Sequence, residues 1–190
     1  MNFEIENTNL EEVKVIIPKV YEDNRGYFME VFNKEDFDKL GIPSNFVQMN
    51  HSKSCGYTIR GLHFQWDPPM GKLMRVTDGA AFLVAVDIRK NSPTLGQWYG
   101  GHFSSFDKKQ LWTPAKFATG FCAVQENTEI QYLITGTYNP ICGSEILWND
   151  RDIDITWPIH NPILSERDKN AQTFKQWLKS KNSNNILYKK

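Results

Sequence analysis

The stretch Ala80-Ala81-Phe82-Leu83-Val84-Ala85-Val86-Asp87-Ile88 decides the fold class. Side chains of a strand alternate between its two faces, and here both faces are apolar: Ala81, Leu83 and Ala85 on one, Phe82, Val84 and Val86 on the other. A strand buried on both sides lies between two sheets, or between a sheet and a neighbouring subunit. Around it, runs at 46–52, 60–65, 72–77, 97–103, 109–113, 119–125 and 128–135 read as further short strands separated by turn signals. Strands at this spacing predict a sandwich or barrel, so the chain is expected to be mainly β.

The flanks carry the remaining elements. Residues 12–20 read as a strand that Pro18 closes or holds at a sheet edge. The turn Asp23-Asn24-Arg25-Gly26 leads into a strand at 27–32. Asn33 as N-cap, Asp36 as a weak capping-box partner, and Gly41 with Pro43 as terminators predict a short helix at 34–40. Ser165-Glu166-Arg167-Asp168 announces a C-terminal helix whose apolar positions Ala171, Phe174, Trp177 and Leu178 fall at helical spacing, so it should pack outside the β core. The polar, basic stretch 181–190 is expected to fray. One domain over 1–190 accounts for the whole pattern.

Charge and cysteine usage narrow the function classes. Lys plus Arg and Asp plus Glu both number 22, so no net field attracts nucleic acid or an anionic membrane. The segment Met1 to Val13 is acidic and polar without an apolar signal core, and no apolar run approaches the roughly 18 residues of a membrane span. Cys55, Cys122 and Cys142 are widely spaced and form no C-x-x-C pair. A soluble, cytoplasmic protein with reduced thiols is the expectation. The histidines His51, His63, His102 and His160 form neither H-x-H nor H-x-x-x-H, so no metal site is expected.

Chemistry concentrates in Arg60-Gly61-Leu62-His63-Phe64-Gln65 and in Gly71-Lys72-Leu73 just beyond it. Alternation places His63 and Gln65 on one face, with Leu62 and Phe64 on the other. Arg60 joins His63 only if Gly61 lets the strand bulge. His63 reads equally as a half-buried structural histidine or as a base, Lys72 as a surface lysine or a pocket cation, and Tyr132 as a core tyrosine or an acid. Asp168 has the spacing of a helix capping box with Ser165.

The order and spacing of Asp23-x-Arg25-Gly26-x-Phe28-x-Glu30, Phe46-Val47-Gln48-x-Asn50, Arg60-Gly61-Leu62-His63-x-Gln65 and Lys72-Leu73 resemble the dTDP-4-dehydrorhamnose 3,5-epimerase family. The match continues through Val86-Asp87-x-Arg89, Ser92-Pro93-Thr94-x-Gly96-x-Trp98, Gly120-Phe121, Tyr132, Tyr138-x-Pro140 and Leu164-Ser165-x-x-Asp168. The resemblance implies a cupin-type β-jelly-roll without metal or other cofactor, dimeric with itself, acting on a nucleotide-diphosphate-linked 4-keto-6-deoxy sugar in deoxy-sugar or surface-polysaccharide biosynthesis. By that similarity His63 is the base, Asp168 polarises its imidazole, Lys72 steadies the oxyanion and Tyr132 is the acid. Arg25 and Arg60 look like diphosphate contacts, while Phe28, Glu30, Gln48, Asn50 and Tyr138 look like nucleotide and sugar contacts, some of them supplied across a dimer interface.

Two positions depart from the family pattern. Where it usually reads Ala-His-Gly-Phe, this chain has Ala118-Thr119-Gly120-Phe121, placing Thr119 in the substrate pocket without a titratable group. Met49 stands where an acidic residue is common. A sugar-nucleotide 3,4-ketoisomerase and a catalytically silent sugar-nucleotide binding protein are the alternative readings.

Overall fold

A computed structural model of the chain describes residues 1–188. Its strands are β1 (Phe3–Asn7), β2 (Lys14–Pro18), β3 (Val20–Asp23), β4 (Gly26–Met29), β5 (Gln48–Ser54), β6 (Ile59–Gln65), β7 (Lys72–Asp78), β8 (Ala80–Asp87), β9 (Trp98–Ser104), β10 (Gln110–Thr113), β11 (Phe117–Ala123), β12 (Thr128–Ile134) and β13 (Gly143–Glu145). The helices are α1 (Lys34–Lys39), α2 (Glu166–Lys169) and α3 (Phe174–Lys179), followed by a 3-10 turn at Lys181–Asn185. A six-stranded sheet of order β1-β2-β10-β7-β12-β5 faces a five-stranded sheet of order β13-β6-β11-β8-β9, and β3 and β4 form a separate ribbon. All named strand pairs are antiparallel, as a jelly-roll requires.

Three layers of apolar side chains hold the elements together. Between the sheets lie Val15, Met74, Val76, Leu111 and Ile130 from one side and Ala81, Leu83, Ala85, Phe117 and Phe121 from the other. Outside the six-stranded sheet, Phe3, Ile16, Leu73 and Trp112 are covered by Phe37 of α1 and by Ile42. Outside the five-stranded sheet, Leu62, Phe64, Phe82, Val84 and Val86 are covered by Trp157, Phe174, Trp177 and Ile186. β8 is therefore buried on both faces, but its second cover is neither a further sheet nor another subunit. The cover is the chain's own C-terminal segment.

That segment corrects two sequence expectations. The single C-terminal helix is two short ones, because Thr173 and Gln176 form a complete capping box that starts α3 afresh after α2 ends at Asn170. The stretch 181–188 is not frayed: Ile186 is fully buried, Lys90 pairs with Leu187, and the Arg89 guanidinium lies 4.4 Å from the Phe117 ring centre and 5.0 Å from that of Tyr188. Polar composition concealed one apolar anchor, Ile186, and residues 189–190 lie outside the described part. At the other end, β1 was missed because its polar residues Glu4, Glu6 and Asn7 obscure the buried Phe3. In α1, Asn33 caps the amides of Glu35 and Asp36 as expected, but the Asp36 carboxylate accepts from the Asn2 amide instead of closing a capping box.

Replacing Ile186 with Ala is expected to destabilise the fold by about 2–5 kcal/mol, the usual cost of emptying a fully buried Ile site. Urea denaturation measures it, and a frayed tail would give no change.

Candidate active site

His63 owes its position to a glycine. Along β6 against β11, Thr119 pairs with His63 and Phe121 pairs with Arg60, so three steps on β6 match two on β11. The extra residue is a bulge at Gly61, whose φ of +141° suits glycine. A Cβ built there would lie 2.6 Å from the Gly120 Cα. The bulge puts Ile59 and Leu62 together in the outer core and turns Arg60 and His63 to the inner face. Arg60 thus shares a face with the histidine as the bulge condition required, its guanidinium donating to Ser54 Oγ at 3.1 Å and to the Lys53 carbonyl at 3.2 Å.

The inner face of β6 opens on a cavity of about 250 Å³. His63, Gln48, Asn50, Lys72, Tyr132 and Tyr138 line it, together with Met70 and Arg167. His63 comes from the five-stranded sheet; Lys72 on β7 and Tyr132 on β12 come from the six-stranded one, so imidazole and ammonium stand on opposing walls. His63 Nε2 lies 2.5 Å from Asp168 Oδ1. Asp168 is itself buried, and its other oxygen accepts from Ser165 Oγ at 2.9 Å, while Ser165 Oγ accepts the Asp168 amide at 3.1 Å. One carboxylate therefore serves both the cap of α2 and the imidazole. With Nε2 donating to a carboxylate, Nδ1 is left as the acceptor, the tautomer a base needs.

Electrostatics sort the polar groups. Burial alone would raise the Asp168 carboxyl, but hydrogen bonds from His63 and Ser165 and the nearby Arg167 charge outweigh it and hold the group below the usual carboxylate range. Burial pushes the Lys72 amine down to about 8. Lys72 Nζ donates to Thr119 Oγ1 at 2.6 Å, and among the described residues it makes no salt bridge. Burial raises the Tyr132 phenol, with Arg60 pulling the other way, so the hydroxyl keeps its proton at neutral pH. An imidazole, a phenol and a cation without a carboxylate partner around one cavity are groups of the kinds that can remove a proton next to a carbonyl, hold the enolate and return a proton.

Other expected site residues are arranged differently. Gln48 Nε2 donates to Asn50 Oδ1 at 2.8 Å, and Gln48 Oε1 accepts from the Tyr138 amide at 3.3 Å. Thr119 does not line the cavity; it stands behind Lys72. Arg25 and Phe28 lie on the β3–β4 ribbon, exposed, with Arg25 paired to Asp23. Glu30 accepts from Asn2 Nδ2 at 2.8 Å and is not in the cavity either. Sequence reading overlooked Arg167 and its partner Glu145, bonded at 2.8 and 2.6 Å. Arg167 precedes Asp168 directly, which was a usable signal; Glu145 sits on a three-residue strand with too little pattern to detect. Among the described residues, no group of three or more His, Cys, Asp or Glu could hold a metal ion.

A family model described as dTDP-4-dehydrorhamnose 3,5-epimerase matches residues 7–176. The chain belongs to that family. The enzyme of that name from Shigella flexneri is 46% identical over 169 residues, 88% of this chain and 93% of its own. The crystal structure of dTDP-6-deoxy-D-glucose-3,5-epimerase from Legionella pneumophila Philadelphia 1, in complex with dTDP-4-keto-L-rhamnose, superposes with a TM-score of 0.93 at 37% identity over 99% of each chain. A dTDP-4-dehydrorhamnose 3-epimerase from Streptomyces niveus is 34% identical over 164 residues, 85% of this chain and 79% of its own. The chain is accordingly an isomerase, an epimerase acting on carbohydrate in deoxy-sugar biosynthesis, built on a cupin-like jelly-roll. Neither a ketoisomerase nor a silent binding protein is needed to explain it.

Because the Asp168 carboxyl is depressed in the folded state, it contributes stability that is fully present above the ordinary Asp pKa of about 4 and is lost as pH falls through the lowered value. Asp168→Asn is therefore expected to be less stable than the parent at pH 7, with the gap closing on acidification. Denaturation midpoints across that range measure it.

Proposed function

We propose that the enzyme inverts carbon 3, carbon 5 or both in a nucleotide-diphosphate-linked 4-keto-6-deoxy sugar. The observation that carries this reading is the facing arrangement of His63, held by Asp168, against Lys72 and Tyr132 across one cavity. Both carbons are α to the ketone, so loss of either proton gives an enolate whose charge falls on the ketone oxygen. Lys72, without a carboxylate partner, supplies the countercharge where that oxygen develops. His63 takes the proton, and Tyr132 on the opposite wall returns one to the other face, which is inversion. Asp168 stabilises the imidazolium that forms between these events.

The nucleotide end falls to Gln48, Asn50 and Tyr138 at the cavity and to Arg60 beside it, with arginine suited to forked diphosphate contacts. Arg25, Phe28 and Glu30 fit the same role only from a second copy. Phe28 is 67% exposed on a ribbon that joins neither main sheet, as an arm reaching toward a partner's site would be. The homodimer is thus part of this reading, as is a cytoplasmic setting; no described helix is long and apolar enough to cross a membrane.

In heavy water with candidate 4-keto sugar nucleotides, deuterium entry at each carbon is expected by NMR, and His63→Asn should abolish it at both with the fold intact. Undiminished exchange in that variant would sink the assignment. Thr119 adds no proton carrier to the cavity, so exchange at one carbon is expected to outrun the other greatly; equal, efficient exchange at both carbons of the dTDP sugar would refute this.

A further inference from the structure

The Lys72 ammonium must be held where the enolate oxygen forms, yet no described carboxylate pairs with it. A lysine side chain has several rotatable bonds, and such a chain points usefully only if something at its tip fixes it. The fixing group is on the other sheet. Thr119, 4% exposed on β11, accepts from Lys72 Nζ at 2.6 Å and donates to the His63 carbonyl at 3.3 Å. Thr119 and His63 are also direct register partners. We propose that Thr119 is a positioning residue for Lys72, tying the oxyanion-stabilising ammonium to the strand that carries the base, so that cation and base keep their spacing across the two sheets. This rests on the proposed function only in giving Lys72 its oxyanion role; the tie itself stands on the three atoms named.

A packing role alone does not account for the hydroxyl. Thr119 sits between Ala118 and Gly120 on a fully buried strand where an isosteric Val would fill the same volume. What Val cannot do is accept from the ammonium or satisfy the His63 carbonyl. Removing the acceptor leaves a desolvated ammonium short of a hydrogen bond, which disfavours its charged form. The other charged or titratable groups around Lys72 are His63 with Asp168, Tyr132 with Arg60 near it, and Arg167 paired to Glu145. None of them is bonded to the amine.

Thr119→Val, Thr119→Ser and Lys72→Met test this, alone and with Thr119→Val combined with Lys72→Met. Thr119→Val is expected to lower kcat on the order of tenfold or more, with KM changed much less, and to move the alkaline limb of the pH–rate profile to lower pH. Thr119→Ser keeps the hydroxyl and should restore both. In the Lys72→Met background, Thr119→Val should cost nothing further, because its effect travels through the ammonium. Independently of turnover, NMR titration of carbon-labelled lysine in the ligand-free protein should show the Lys72 amine displaced downward in Thr119→Val by about one unit or more. If Thr119→Val does not fold, Thr119→Ala carries the same expectations. Unchanged kcat and unchanged Lys72 titration overturn the positioning role, as does an undiminished Thr119→Val effect in the Lys72→Met background. Absence of exchange in the parent enzyme would instead overturn the proposed function, and the titration would still decide the tie between Thr119 and Lys72.

Discussion

A hydrogen bond between residues 105 positions apart, His63 Nε2 to Asp168 Oδ1, is the contact around which the site is arranged. It requires β6 to present His63 inward, which the Gly61 bulge achieves, and it requires the start of α2 to reach the same place. The C-terminal segment that delivers α2 also covers the outer face of the five-stranded sheet. Trp177 packs 4.5 Å from the Phe64 ring centre and stacks on Trp66 at 5.8 Å, directly behind the strand that carries His63. Packing outside the sheet and hydrogen bonding inside it therefore fix the same strand from two sides.

The rest of the cavity is a study in unequal desolvation. Asp168 is buried but richly bonded, and so stays charged. Lys72 is desolvated with one neutral acceptor, and its amine is poised near 8. Tyr132 is desolvated with a distant cation and keeps its proton. Burial and hydrogen bonding thus push three ionisable groups in and beside one cavity in different directions, Asp168 and Lys72 down and Tyr132 up.

Much of this was legible in the chain because strands and their faces follow a period of two. The double-sided apolar run at 80–88 gave the layered β core, and alternation at 60–65 gave the inward face of His63. The same logic failed where pattern was short or masked: Glu145 on a three-residue strand, Phe3 among acids, Ile186 behind the polar run 179–185. It also misassigned the cover over β8, since periodicity reports that a face is buried and not what buries it. Thr119 was read as a pocket residue because its neighbours belong to a pocket motif; only the three-dimensional course of Lys72 shows that the hydroxyl is already taken. Residues of the β3–β4 ribbon match the family in sequence but stand apart from the cavity within one chain, a separation that sequence spacing does not encode.

The shared duty of Asp168 has a consequence for synthesis. Strands β1 to β13 leave the ribosome before α2 does, and until it follows, the His63 imidazole has no Asp168 carboxylate beside it. When Ser165 caps the helix, the same bond network turns Asp168 toward His63. The residues that start α2 and the residues that bond the His63 imidazole are thus the same ones. Removing the C-terminal segment would therefore take away both the carboxylate beside His63 and the apolar cover of the five-stranded sheet.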